Sequence, residues 1–417
     1  MNHQFTVKEI DNRPLLSIII ATKNRQKYAQ AAVASILRIA DPRIELIIQD
    51  NSDEKSLAGA LKVYSSDPRL KYQYTPPPLS IVGNFNKAIE LSTGEYVCMI
   101  GDDDGINPEI VAATEWALSN DVDAIVGSLT ANYRWAGTGA PDTLFTNMTD
   151  STLVLTHFTC QVIQVDLEES LKIFGRAGFT YYLEHSLPKL YHGVVKRDRL
   201  NELLSRNGAF IRGLSTDIYL SVALACIVRK LVIFDYPLTI PGVCPQSSSV
   251  VEGQIKKHSR LLEDAPHFRS NPGYVWSDEV PPIYCVETLW TDSALHALRD
   301  MNRQDLLGQF SQYRMYANII NANRESINFC LTHMRSRHTT NFTNIIRLTC
   351  AFVTGPLERF IRKRALSRIL IILRIKRLKE IRDLPDIVAA TDALLSYLNF
   401  ISTKLHTLPF KAGSQEK

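Results

Sequence analysis

Three consecutive aspartates, Asp102, Asp103 and Asp104, fall in the stretch "YVCMIGDDDGINPE", between an apolar run and a helix-start signal. Neighbouring carboxylates repel one another, so such a cluster asks for positive charge against it. The plain structural reading is an acidic turn that solvates a loop and favours a helix N-terminus. Spacing sets several ligands aside. The turn after the first apolar run reads "ATKNRQ" and lacks the GxGxxG of a dinucleotide cradle, and no GxxxxGK[ST] phosphate loop occurs. "DDDGINPE" does not alternate its acids as a calcium loop does, with glycine at the sixth place and glutamate at the twelfth. What remains is a hard divalent cation, Mg²⁺ or Mn²⁺, held by one or two carboxylates while ligand phosphates complete its shell. Gly101 and Gly105 flank the acids and allow tight turns that bring a ligand close to the backbone.

The elements around this cluster alternate. Apolar β-rich runs at 15–20, 44–48, 96–100 and 124–126, with a weaker alternating strand at 70–74, are separated by helix-compatible segments near 27–39, 56–65, 84–92 and 108–119. For the last of these, Asn107 suits the cap, Pro108 the first helical position and Glu109 the positive end of the dipole. Near-continuous apolar strands separated by helices predict an α/β fold: a mostly parallel, Rossmann-like sheet with helices on both faces. Ligands bind such sheets at the carboxyl ends of the strands, where the aspartates fall. Further on, 191–195 and 230–234 read as strands around a helix at 216–228, and 241–249, "PGVCPQSSS", reads as a polar loop, either a lid or a connection. From about 285 the patterns are helical.

Bulk properties add bounds. With 417 residues, 45% hydrophobic and 22% charged at a net +4, the chain is an ordinary globular composition with room for two domains. The first residues lack the apolar core of a signal peptide, and no run reaches the ~18 apolar residues of a spanning helix. Seven scattered cysteines without CxxC spacing read as reduced thiols, which points to the cytoplasm and away from a zinc site or disulfide framework.

The ordered set "LLSIIIATKNRQKYAQAAVASIL", "IELIIQDNSD" and "NFNKAIELSTGEYVCMIGDDDGINPEIV" resembles the catalytic domain of glycosyltransferase family 2, inverting nucleotide-sugar-dependent enzymes of the GT-A fold. The glycine before three aspartates is most similar to bacterial surface-polysaccharide, abequosyltransferase-like members. The resemblance implies a nucleotide-binding half at 14–128 and an acceptor half at 129–250, together a catalytic domain over 1–250, followed by a mainly helical region at 251–417. It implies that Thr22, Asn24, Asp50 and Asn84 contact the nucleotide sugar, that Asp102 reaches the ribose, and that Asp103 and Asp104 hold the metal on the diphosphate. The family's usual acid pair is "QD" here, so either Asp50 or Asp53 faces the base; Asp50, at the strand end, is favoured. The general base expected after the metal motif corresponds to Asp217 in "GAFIRGLSTDIYLSVALA", where the bland alternative is an acid favouring a helix N-terminus. His192 and His258 are possible further ligands, although lone histidines are usually structural.

Residues 357–383 carry ten Lys/Arg against three Asp/Glu, interleaved with Ile and Leu. That pattern fits a packed helix with a solvated face or an interfacial helix drawn to anionic lipid. Little aromatic interleaving argues against nucleic acid. The expectation is a cytoplasmic glycosyltransferase, peripheral on the inner membrane face, that moves a sugar to a glycan or lipid-linked saccharide, as in O-antigen or capsule synthesis. Its rivals are a sugar nucleotidyltransferase, whose glycine- and arginine-rich signature "ATKNRQ" lacks, and a non-catalytic nucleotide-sugar-binding scaffold.

Overall fold

The computed structural model describes residues 13–138, 150–247, 261–262, 268, 271, 273–337, 342–361 and 379–401. Its centre is an eight-stranded sheet built from β1 (Leu16–Thr22), β2 (Ile44–Asp50), β3 (Leu70–Tyr74), β4 (Tyr96–Ile100), β6 (Ala124–Gly127), β9 (Val162–Val165), β10 (Gly193–Lys196) and β11 (Leu231–Phe234). The order is β3-β2-β1-β4-β10-β6-β11-β9. Six strands run one way; β10 and β9 are reversed. The mostly parallel α/β sheet expected from the apolar runs is therefore present.

Short strands frame it. β5 (Gly105–Ile106) pairs with β12 (Thr239–Ile240), and β13 (Gly242–Val243), β7 (Ala131–Arg134), β8 (Thr152–Leu155) and β14 (Lys379–Ile381) form a four-stranded sheet. The helices are α1 (Gln26–Leu37), α2 (Ser56–Ala60), α3 (Ile81–Leu91), α4 (Ile110–Ser119), α5 (Leu167–Arg176), α6 (Arg197–Asn207), α7 (Thr216–Ala225), α8 (Val286–Asp300), α9 (Gln304–Leu307), α10 (Gln312–Ala322), α11 (Ile327–Arg337), α12 (Phe342–Ile361) and α13 (Ile387–Phe400).

Alternation in the strands sorts the core into two layers. Ile18 and Ile20 of β1 face a layer closed by α1, α4 and α13, while Ile19 faces one closed by α3, α5–α8 and α10. Helix α1 supplies Ala29, Ala32, Val33 and Ile36, all buried at helical spacing. The C-terminal elements join this body: β14 pairs with β8, Ser35 and Thr391 hydroxyls lie 3.0 Å apart, and Tyr133 OH donates to Leu384 O at 2.7 Å.

Some boundaries differ from expectation. Helix α4 begins at Ile110 because the Asn107 side chain accepts from Glu109 N at 3.1 Å and donates to Pro237 O at 2.7 Å. Asn107 thus closes a turn ahead of the helix and does not cap it. Helix α3 starts earlier than expected, since Ser80 Oγ accepts from Gly83 N at 2.9 Å as its cap. Strand β10 starts at Gly193, with Tyr191 meeting Met99 in an isolated bridge.

Candidate active site

After β1 the chain steps outward to β2 and β3, then returns to place β4 on the other side of β1. The point where the order reverses lies between β1 and β4, and the crevice beyond their carboxyl ends is where such sheets take ligands. Thr22, the last residue of β1, donates from Oγ1 to Asp102 Oδ2 at 2.6 Å, bridging that crevice.

The three aspartates are buried, at 2%, 4% and 1% exposure, and each meets different partners. Arg25, just before α1, spans two of them: Nη1 lies 2.9 Å from Asp102 Oδ1 and Nη2 lies 2.7 Å from Asp103 Oδ2. Asp103 Oδ2 also accepts from Ser247 Oγ at 2.6 Å and Cys244 N at 3.2 Å. Asp104 is enclosed: Oδ2 accepts from Gly101 N at 2.6 Å and Tyr191 OH at 3.0 Å, with His192 Nε2 at 3.2 Å, and Oδ1 accepts from Gly242 N at 2.6 Å.

Three carboxylates thus face one guanidinium and one imidazole. Burial, opposed by Arg25 and reinforced by Asp103, pushes Asp102 up to about 7. Burial and Asp104 likewise raise Asp103. Asp104 goes the other way: burial works against its charge, but His192 and the backbone donors hold it below the usual carboxylate range. Arg25 is held firmly protonated, burial being outweighed by Asp102 and Asp103.

The "PGVCPQSSS" tract is no mere connection. Through residue 247 it forms the wall opposite the aspartates, with β13 pairing to β7 and Gly242, Cys244 and Ser247 donating into the cluster. A Cβ on Gly242 would sit 1.8 Å from Asp103 O, so glycine is obligatory there. Residues 248 and 249, and His258, lie outside the described residues. Arg25, Tyr191, Gly242, Cys244 and Ser247 escaped sequence reasoning. Their signal was faint, because each comes to the cluster from a distant loop.

The remaining site residues group around the end of β2. Asp50 is fully buried; its Oδ1 accepts from Ser52 N and its Oδ2 from Tyr72 OH, both at 2.8 Å. Asp53 is exposed and exchanges hydrogen bonds with Asn24 at 2.8 and 2.9 Å. Asn24 takes φ of 56°, a left-handed turn that Asn tolerates. Asn84, on α3, donates to Thr22 O at 3.2 Å, while its buried Oδ1 has no partner. Asp217 lies in the first turn of α7, half-exposed, accepting from Ser215 Oγ at 2.7 Å and Ile218 N at 3.0 Å. It touches none of the others directly. The loop before it is pinned to α3 by Asn86, whose Oδ1 accepts from Phe210 N and Ile211 N and whose Nδ2 donates to Ile211 O at 3.0 Å.

Among the described residues, no three His, Cys, Asp or Glu side chains gather in a metal-holding arrangement. The donor chemistry nonetheless suits a hard cation that takes one or two carboxylates from the protein and the rest of its shell from phosphate, and the uncompensated carboxylate charge favours one.

Comparison with known proteins agrees with the motifs. Residues 17–163 match the family model described as glycosyl transferase family 2. A putative colanic acid biosynthesis glycosyl transferase, WcaA of Escherichia coli, is 37% identical over 100 residues, 23% of this chain and 35% of that protein. The GalNAc(5)-diNAcBac-PP-undecaprenol beta-1,3-glucosyltransferase of Campylobacter jejuni is 32% identical over 96 residues, 22% of this chain and 30% of that protein. The matched segment therefore spans about a third of each relative. Among solved structures, S. aureus TarS in complex with UDP-GlcNAc covers 92% of both chains at 14% identity, with a TM-score of 0.43.

Proposed function

We propose that this protein is a metal-dependent inverting glycosyltransferase that moves a sugar from a nucleotide-sugar donor to a glycan or lipid-linked saccharide, in bacterial surface-polysaccharide synthesis. One observation carries the reading: three buried carboxylates crowd together at the carboxyl ends of β1 and β4 with one guanidinium shared between two of them, in the segment that matches the family 2 model. The relatives named for colanic acid and for an undecaprenol-linked glycan support the polysaccharide assignment.

In this reading the nucleoside lies over the ends of β1 and β2. Asp50 is held by Tyr72 and Ser52 as a fixed acceptor beside it, and Asn24 shapes the rim. Asn84 fixes the Thr22 carbonyl, and Thr22 aligns Asp102 toward the ribose. Asp103 and Asp104 would hold Mg²⁺ or Mn²⁺, which when bound neutralises charge growing on the departing diphosphate. Arg25, paired with Asp103 at 2.7 Å, would add its own positive charge beside the diphosphate site.

Asp217 takes the proton from the acceptor hydroxyl as it attacks the anomeric carbon, opposite the leaving diphosphate. Ser215 and the α7 backbone orient its carboxylate, and Asn86 keeps its loop in register with the donor half. No helix among the described residues is long and apolar enough to cross a membrane. The cytoplasmic reading rests on the scattered cysteines, and the placement against the inner leaflet, where a lipid-linked acceptor would stand, on the basic tract 357–383, of which 362–378 lie outside the described residues.

The test is release of nucleoside diphosphate from UDP-, GDP-, dTDP- and CDP-sugars with and without Mn²⁺. Metal-dependent release from one donor class supports transfer chemistry. Tight binding with no turnover, even with acceptor mixtures, would leave a binding module instead.

A further inference from the structure

Helix α12 has two stripes of opposite character. Asn344, Ala351 and Gly355 are buried, and Leu348 partly so, against α10: Tyr313 OH donates to Asn344 Oδ1 at 2.6 Å and Arg314 Nη1 to Ala351 O at 3.2 Å. A Cβ on Gly355 would meet Arg314 Nη1 at 2.5 Å, so that side fits closely. Two residues along, roughly 200° around the helix, lie Ile346, Cys350, Val353 and Leu357. These are exposed, the three aliphatic ones at 45%, 64% and 53%. Phe329 of the neighbouring α11 is exposed at 46%. A firmly anchored helix therefore holds a row of apolar side chains in water.

Charge identifies the occupant. From 327 to 379 the sequence holds twelve Lys/Arg and one acid, Glu358, so this stretch alone carries +11 against +4 for the whole chain. A second copy would bring the same basic helices, with Arg335, Arg337, Arg347 and Arg359 against the single acid Glu358, to the contact and be repelled. Nucleic acid would use the charge but not a row of aliphatic side chains. An anionic lipid leaflet uses both, drawing the arginines to its headgroups and taking the aliphatic row into the acyl boundary.

We propose that the outer stripe of α12, Ile346–Cys350–Val353–Leu357, is a membrane-insertion face that seats the enzyme on an anionic leaflet. This rests on the membrane reading of the basic tract and extends it upstream, onto a helix fixed to the body. Seating through α12 joins the leaflet to the acceptor half, because α12 packs on α10, α10 on α8, and α8 on α7, whose first turn carries Asp217.

Cys350 is the one exposed thiol of the seven, so it accepts an environment-sensitive NBD label in the full chain. Truncation is avoided, since β14 and α13 pack on β8 and α1. With phosphatidylcholine vesicles containing phosphatidylglycerol, NBD emission should shift to the blue and brighten, and with phosphatidylcholine alone it should not. Val353→Glu/Leu357→Glu should weaken vesicle affinity on the order of tenfold or more, with unchanged thermal stability. Co-sedimentation with an unmoved Cys350 probe would keep the membrane reading of the tract and overturn the insertion face. No co-sedimentation at all would overturn both. A probe shift that follows protein concentration without vesicles, or appears on duplex RNA, would assign the stripe to a second copy or to nucleic acid and also overturn the proposal.

Discussion

Two buried acidic sites stand at opposite ends of the same parallel strands and are treated in opposite ways. Glu45, at the amino end of β2, accepts from Ser17 Oγ, from the N–H of Thr93 and Gly94 at 2.5 and 3.0 Å, and from Thr93 Oγ1 at 2.9 Å. Lys71 Nζ closes the set at 2.5 Å. Burial opposes Glu45's charge, yet Lys71, Ser17 and Thr93 hold it below the usual carboxylate range. At the carboxyl ends, Asp102 and Asp103 share Arg25, and burial lifts both. Where a carboxylate serves only the fold, the chain satisfies it. Where the strands open on a ligand crevice, the chain crowds more carboxylates than the cations beside them balance, and a proton on Asp102 stands in for the missing one.

The contrast can be broken by substitution at either end. Asp103→Ala should abolish metal-dependent donor binding and transfer while the protein stays folded, measured by calorimetry with Mn²⁺ and by circular dichroism. Retained metal-dependent binding would move the site elsewhere. Asp217→Asn should spare donor affinity and lower turnover by about 10²–10⁴-fold, the usual cost of a lost general base. Loss of donor affinity instead would place Asp217 in the sugar pocket, and normal turnover would place the base elsewhere.

Glu45→Gln should do the reverse of Asp103→Ala. Removing the charged partner of a buried network costs about 3 kcal/mol of stability, with donor affinity in the surviving folded protein unchanged. Urea unfolding alongside donor titration separates the two effects.

The smallest effect is in pH, and its sign differs at the two ends. Asp102 keeps its proton in the folded state up to about 7, whereas unfolded it would lose it near 3.8. The folded state therefore binds more protons across that window, and its stability falls as pH rises through it. Glu45 has a lowered value, so its contribution is full above its ordinary range and is lost as pH falls through its folded value. Asp102→Asn should flatten the decline between about pH 4 and 7, and Glu45→Gln should flatten the acid limb. Thermal melts across pH check both.

Much of this was legible from sequence because it is local. Apolar runs at 44–48 and 96–100 form strands buried on both faces, and the acidic turn follows β4 as the pattern implied. Helix ends were less legible, since Asn107 chose a turn over a cap and Ser80 capped α3 ahead of its apolar residues. The wall of the site was not legible at all. Gly242, Cys244 and Ser247 reach Asp103 and Asp104 from about 140 residues away, and nothing in "PGVCPQSSS" announces that partner. The same holds for Arg25, which meets Asp102 only because β4 is laid beside β1. Long-range closure by a loop carries no periodicity.

The central claim is that the charge surplus beside β4 exists to bind a divalent cation with a nucleotide sugar. The direct measurement is a thermal-unfolding panel of the full chain with UDP-, GDP-, dTDP- and CDP-sugars, each with Mn²⁺ and with EDTA. The account predicts that one nucleotide class stabilises the protein with Mn²⁺, by about 2.7 kcal/mol at a hundredfold excess over Kd, and that EDTA removes the effect. Equal stabilisation in EDTA, or none by any nucleotide sugar with Mn²⁺, would contradict it.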